Sequence, residues 1–241
     1  MWSPPKNLVE NYLRIVQECL VSGSTFNKFK SENDYIAIVG TPSPYQLSHF
    51  MDKIRNHPDI ISRFQDFQKN DMYGNPPYII PEYNLSMGTI RYIHSLCDIK
   101  ETFGSLTSWK IAEMGVGYGG LSFILNQYYD IERYHLIDLS VVQELATKYL
   151  VLLNSPSTTK PPVDIDLFIS EFCLSEFDDA DLYDFYDRYV KPAKNAYLQM
   201  NLIDPARKSR FINYMNEDFD LEIRNETHGT DFPAYIIVGK K

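Results

Sequence analysis

The chain has 241 residues, 44% of them hydrophobic and 23% charged, which suits a globular protein with a real core and excludes wholesale disorder. Its formal net charge of −9 argues against a protein that follows nucleic-acid phosphates with a basic face, so nucleic acid is left off the expected partners. Cys19, Cys97 and Cys173 are far apart and form no CxxC pair, so no disulfide framework and no zinc site is expected. Without a basic-then-apolar leader or a long apolar run, the expected setting is cytoplasmic and away from membranes.

Residues 5–70 predict helices. Leu8, Tyr12, Ile15, Val16, Cys19 and Leu20 recur at helical spacing, as do Leu47, Phe50, Met51 and Ile54, and Ile60, Ile61, Phe64 and Phe67 continue the habit after Pro58. Such stripes read as core faces. Tyr73-Gly-Asn-Pro-Pro-Tyr78 predicts a loop, since Gly and paired Pro break regular structure. Ser86 to Ile99 predicts a helix with Ser86 as N-cap and Ile90, Ile93, Leu96 and Cys97 as its buried stripe. Tyr73, Tyr78 and Tyr83 cluster ahead of it, as a lid over substrate or as core area.

From Trp109 the pattern alternates. Lys110–Met114, Arg133–Ile137, Asp166–Ser170, Asn195–Asn201, Leu221–Asn225 and Ala234–Val238 predict strands. Gly120 to about Tyr129, Ser140–Leu153 and Asp179–Tyr189 predict helices. Alternation of this kind implies a doubly wound, mostly parallel sheet, and the last two strands are close enough to pair as an antiparallel hairpin at its edge. The expectation is an α/β, Rossmann-like class I methyltransferase fold, with a helical region at 1–105 ahead of a cofactor-binding region at 106–241.

Glu113-Met-Gly-Val-Gly-Tyr-Gly-Gly120 carries most of the chemistry. Gly115, Gly117 and Gly120 satisfy G-x-G-x-x-G, so an NAD(P)-dependent oxidoreductase is the rival reading. Glu113 separates the two. A carboxylate there would repel a pyrophosphate but suits a ligand bearing an ammonium and a sulfonium, and at ~4 Å with an effective dielectric near 20 such a pair is worth about 4 kcal/mol. S-adenosyl-L-methionine is therefore the expected cofactor, cradled by Gly115, Gly117, Tyr118 and Gly119. Asp138, ending the second strand, is placed to accept ribose hydroxyls, or else serves as a helix N-terminal acid. Leu139 follows it. Ser170 and Glu171 emerge at the carboxyl end of the next strand, where α/β sheets bind ligands. Ser170 is assigned to the cofactor, and Glu171 is the first candidate base. Glu176, or His228 in Glu226-Thr-His-Gly229, are the other candidates, with surface or capping roles as the bland alternatives for these residues and for Ser175. No His/Asp cluster has metal-ligand spacing.

From about Tyr78 onward the chain resembles the sugar O-methyltransferases of polysaccharide and nucleotide-sugar pathways. Four segments carry the likeness: Gly88-Thr-Ile-Arg-Tyr92, the glycine loop with its Gly-Tyr-Gly-Gly ending, Ile169-Ser-Glu-Phe-Cys-Leu-Ser-Glu176, and Ala196-Tyr-Leu-Gln-Met-Asn201. Val116 departs, standing where that family has glycine, and residues 1–70 match nothing in it. The resemblance implies the class I fold, the methyl donor and a saccharide hydroxyl as acceptor, on a sugar or nucleotide sugar. Tyr78, Arg91, Tyr92 and Asn201 are the expected substrate contacts, though Arg91 could instead pair with a surface acid, and a homodimer is left open. A methyltransferase acting on another small molecule or on nucleic acid is the further alternative. Asn75-Pro-Pro-Tyr78 matches the tetrad of nucleic-acid amino methyltransferases but precedes the glycine loop.

Overall fold

The computed structural model describes residues 5–201, 204–226 and 233–241. Helix α1, Lys6–Val21, buries Tyr12, Ile15, Val16 and Cys19, the apolar stripe read from the sequence. Short helices follow, among them Asn33–Val39 and Leu47–Ile54. The run after Pro58 breaks into two four-residue helices that bury Ile60, Phe64 and Phe67 but leave Ile61 exposed. Ile79–Ile80 and Leu85–Ser86 pair as a small antiparallel ribbon that the sequence pattern did not signal. Helix α2, Met87–Phe103, starts where Ser86 accepts a hydrogen bond from the Thr89 amide at 3.1 Å. It outruns the expected end at Ile99 because the first residue able to stop it is Gly104, at φ 73°.

The sheet then builds in alternation: β1 Lys110–Met114, α3 Gly120–Tyr128, β2 Arg133–Ile137, α4 Ser140–Leu152, β3 Leu167–Glu171, α5 Asp179–Phe185, β4 Asn195–Asn201, α6 Pro205–Met215, β5 Asp220–Glu226 and β6 Ala234–Lys240. Spatial order is β2-β1-β3-β4-β6-β5. The first four strands are parallel, and β6 runs antiparallel to both β4 and β5. Beyond β2 the edge is capped by a single parallel bridge, His135 to Thr158.

Three sequence expectations shift. Helix α6 was not foreseen, because only Phe211 and Met215 of its eleven residues are buried and its apolar period is faint. Strand β3 begins one residue late: the Asp166 carboxylate accepts from the Lys110 amide at 2.8 Å and from Lys194 Nζ at 2.6 Å, so it works as a strand-end clasp. The helix expected over Asp179–Tyr189 widens into a π-turn at Tyr186–Val190.

Side chains alternate across the sheet as a period of two requires. Ile111, Tyr134, Leu136, Leu167, Ile169, Tyr197, Ile236 and Val238 join a core shared with α1, α2, α3 and α4. Ala112, Met114, Phe168, Ala196, Leu198, Met200, Tyr235 and Ile237 join the core under α5 and α6. Glu113 and Glu171 share the parity of Ile111 and Ile169, so both belong to the face that the N-terminal helices and α2 cover.

Candidate active site

The chain leaves β1 through Gly115-Val-Gly-Tyr-Gly119 and enters α3. Gly115, Gly117 and Gly119 stand at φ +81°, +52° and +87°, conformations that side-chain-bearing residues rarely adopt. A Cβ on Gly115 would lie 2.3 Å from Cys173 Cβ, and one on Gly119 3.0 Å from Leu150 Cδ1, whereas nothing lies within 4 Å of one on Gly117. The loop is thus packed tightly at its two ends and open in the middle, where a ligand can reach the backbone. Val116 is outside the left-handed region and buried, so the departure from glycine there costs the backbone nothing.

Asp138 ends β2 against this opening. Its carboxylate accepts from the Gly117 amide at 3.3 Å and from the Leu139 amide at 2.8 Å. It does not cap α4, whose N-cap position is Leu139 and has no side-chain bond. Burial pushes its carboxyl up to about 6, against the pull of those amides. Leu139 exposes its apolar side chain beside it.

Glu113 is 4% exposed, and Tyr134 Oη donates to its Oε2 at 2.6 Å. Burial pushes the Glu113 carboxyl well above the usual range, the tyrosine bond opposes this, and Glu171 and Asp138 add to it. Burial thus works towards the protonated form, and a cationic ligand would work towards the anion expected at this position. Tyr134 was missed by sequence reasoning, although its place on β2 gives it the same sheet face as Glu113.

Glu171 is the last residue of β3, paired with Gln199. Burial raises its carboxyl, while Arg91 and a hydrogen bond to Ser95 lower it, and its Oε1 is buried without a partner. Phe172 then turns the chain at φ 66°. Ser170 is fully buried with its hydroxyl unpartnered, and it shares the parity of Phe168, on the other face of the sheet from Glu171. Ser175 does not cap: it lies inside the short helix Cys173–Glu176, hydrogen-bonds through its hydroxyl to the Phe172 carbonyl at 2.5 Å, and accepts from the Asn201 amide at 3.3 Å. Glu176 hydrogen-bonds Asn201, with its carboxyl raised by burial. The expected residues therefore fall into two groups: Glu113, Glu171, Arg91 and Tyr92 on the helical side, and Glu176 with Asn201 elsewhere along the strand ends. His228 lies outside the described residues.

Arg91 donates from Nη1 to the Gly40 carbonyl at 2.6 Å, and its guanidinium carbon lies 5.1 Å from the Tyr92 ring centroid. It takes no surface acid as a partner among the described residues. Tyr92 presses on Gly120, where a Cβ would sit 2.3 Å from its Cε2. Tyr118 turns inward to an aromatic box, its ring 5.0 Å from that of Tyr149 and 6.0 Å from that of Tyr92. Of the tyrosines ahead of α2, Tyr73 packs on Phe26 and Tyr149 and Tyr83 on Phe64, so those two are core rather than lid, while Tyr78 is exposed. Among the described residues no group of three or more His, Cys, Asp or Glu is arranged to hold a metal ion, and no helix is long and apolar enough to cross a membrane.

Comparison with family models and with curated proteins finds no match. Solved structures do match. A Thermoplasma acidophilum protein aligns at 15% identity over 76% of this chain and 96% of its own, with a TM-score of 0.50. A Pyrococcus horikoshii protein assigned as an RNA methyltransferase aligns at 12% identity over 64% and 85%, also at 0.50. M. capricolum TrmK bound to S-adenosyl-homocysteine aligns at 12% identity over 61% and 67%, at 0.48. The fold is the Rossmann-like methyltransferase fold. The exclusion of nucleic acid drawn from net charge does not stand, because the same fold carries the Pyrococcus RNA methyltransferase, and overall acidity is no argument about a local acceptor site.

Proposed function

We propose that the chain is an S-adenosylmethionine-dependent O-methyltransferase whose acceptor is a hydroxyl of a sugar, free or nucleotide-linked. The observation that carries the donor is the tie between Asp138 and the Gly117 amide above an open glycine loop. This sets a ribose-accepting carboxylate beside backbone that a nucleoside can approach. The buried acid at Glu113 fits the donor's cationic end, since an ammonium or sulfonium nearby offsets the burial that holds the proton on. A dinucleotide would bring pyrophosphate to the same acid.

Methyl transfer is an in-line displacement: the new O–CH3 bond forms as the S–CH3 bond breaks, leaving a neutral thioether and releasing the hydroxyl proton. The chain's share of the work is alignment and proton removal. Glu171 is our choice for the base. Its unpartnered Oε1 is an acceptor waiting for a donor, its raised carboxyl is closer to neutrality than an exposed glutamate, and Arg91 favours its ionised form. The sugar assignment rests on the resemblance of the four segments named above. Incubation with radiolabelled donor and a panel of sugars, nucleotide sugars and an RNA oligomer tests it. Label is expected on a sugar-bearing acceptor, with turnover reduced at least a hundredfold in Glu171→Gln. Label on RNA alone would overturn the acceptor while keeping the donor.

A further inference from the structure

A narrow cleft beside the glycine loop, open to solvent, is lined by Lys30, Arg91, Tyr92 and Tyr118, and by the N-cap Ser86 and Gly88 at the start of α2. In a chain of net charge −9, two cations meet there, and neither forms an ion pair with a carboxylate among the described residues. Lys30 is 5% exposed. Its ammonium donates to the Asn70 carbonyl at 2.6 Å and to Tyr149 Oη at 2.8 Å, and lies 4.0 Å from the Tyr118 ring centroid. Arg91 spends one donor on Gly40, and its Nε is buried without a partner. Two acids act on these cations from outside hydrogen-bond contact: Asp71, which accepts from the Ser86 amide and from the Ser86 and Thr89 hydroxyls, and Glu171, which is bonded by Ser95 and keeps one oxygen unpartnered.

Cations with no carboxylate in contact, in an aromatic cleft, retain attraction for an incoming anion. We propose that this cleft is an oxyanion subsite, in which Arg91 directly and Lys30 from behind Tyr118 hold a carboxylate or phosphate of a ligand bound at the glycine loop. The inference rests on the methyltransferase reading for the identity of that ligand, and two sources share the chemistry: the donor's own carboxylate and a phosphate on the acceptor. Burial lowers Lys30 to about 7, with Asp71 acting the other way. An incoming anion would favour its charged form, so binding should weaken as pH rises above 7. The groups facing it are Tyr149 from α4, Tyr118 from the loop, Asp71 ahead of the ribbon, and Arg91 from α2.

Calorimetry on the full chain tests this, with wild type, Lys30→Met and Arg91→Gln, whose folding is checked by thermal melting. Probes are S-adenosylhomocysteine, its decarboxylated analogue, and inorganic phosphate. If the donor supplies the anion, both variants lose at least tenfold in affinity for S-adenosylhomocysteine and little for the decarboxylated analogue. If the acceptor supplies it, S-adenosylhomocysteine is unaffected, and millimolar phosphate binding seen in wild type disappears in the variants. Folded variants that match wild type on all three probes would overturn the subsite. A wild type that ignores both nucleosides would instead undo the proposed function, and the phosphate measurement would still decide the subsite.

Discussion

The two faces of the sheet are packed by different rules. Under α5 and α6 the core is Ala112, Met114, Phe168, Leu198, Met200, Phe211 and Ile237, apolar apart from the buried Ser170 hydroxyl. The face under the N-terminal helices and α2 has an apolar core of its own, yet it also buries Glu113, Lys30, His94 and Asp98, with Glu171 at its margin. Burial raises the two glutamates, lowers Lys30 to about 7 and lowers His94 to about 3. Of these groups, among the described residues, Asp98 is the one in contact with cations, Lys53 and Arg224, both on its Oδ1. The contrast teaches that one face is packed for stability while the other buries ionisable groups at a cost, which suits the charged ligand proposed above.

The largest effect that would sharpen this contrast is on the apolar face. Phe168→Ala should lower unfolding free energy by about 3–5 kcal/mol in urea titration and leave affinity for S-adenosylhomocysteine unchanged in the folded protein. A matching loss of affinity would show that the faces are not separable.

Asp138→Asn should act the opposite way. Its folded carboxyl, at about 6, lies above the ordinary 3.8, so its protonated form stabilises the fold at low pH, and that contribution is lost as pH rises through 6. The variant should therefore be more stable than wild type at pH 7.5 by on the order of 2 kcal/mol, less what solvent screens from a half-buried group, and no more stable at pH 4. Affinity for S-adenosylhomocysteine should fall by at least tenfold. Equal melting temperatures at both pH values would break the argument.

Glu113→Gln should be smaller still. Because burial pushes the wild-type carboxyl towards the neutral form that glutamine mimics, stability at neutral pH should change by less than about 1 kcal/mol. Wild-type binding should tighten as pH rises, since the ligand's ammonium favours the ionised acid, and in the variant that part of the dependence should flatten. A variant with the wild-type pH profile would remove Glu113 from the site.

Much of this was legible in the sequence. β1, β2 and β4 could be bounded from apolar runs and flanking loops, and the glycine loop announced its own turn. What the sequence hid depended on contacts across the chain. Tyr134 reaches Glu113 from a neighbouring strand, and Lys30 reaches Tyr149 over a separation of 119 residues. Helix α6 was hidden for a local reason, since two buried side chains make too weak a stripe. The upward push of burial on Glu113 could not be read either, because burial is a property of the fold.

The most direct test of the central claim is calorimetric titration of the full chain with S-adenosylhomocysteine and, separately, with NAD, in two buffers of different ionisation heat. The account predicts one S-adenosylhomocysteine per chain with proton release to the buffer from Glu113, and no heat from NAD. Binding of NAD with silence from S-adenosylhomocysteine would contradict it.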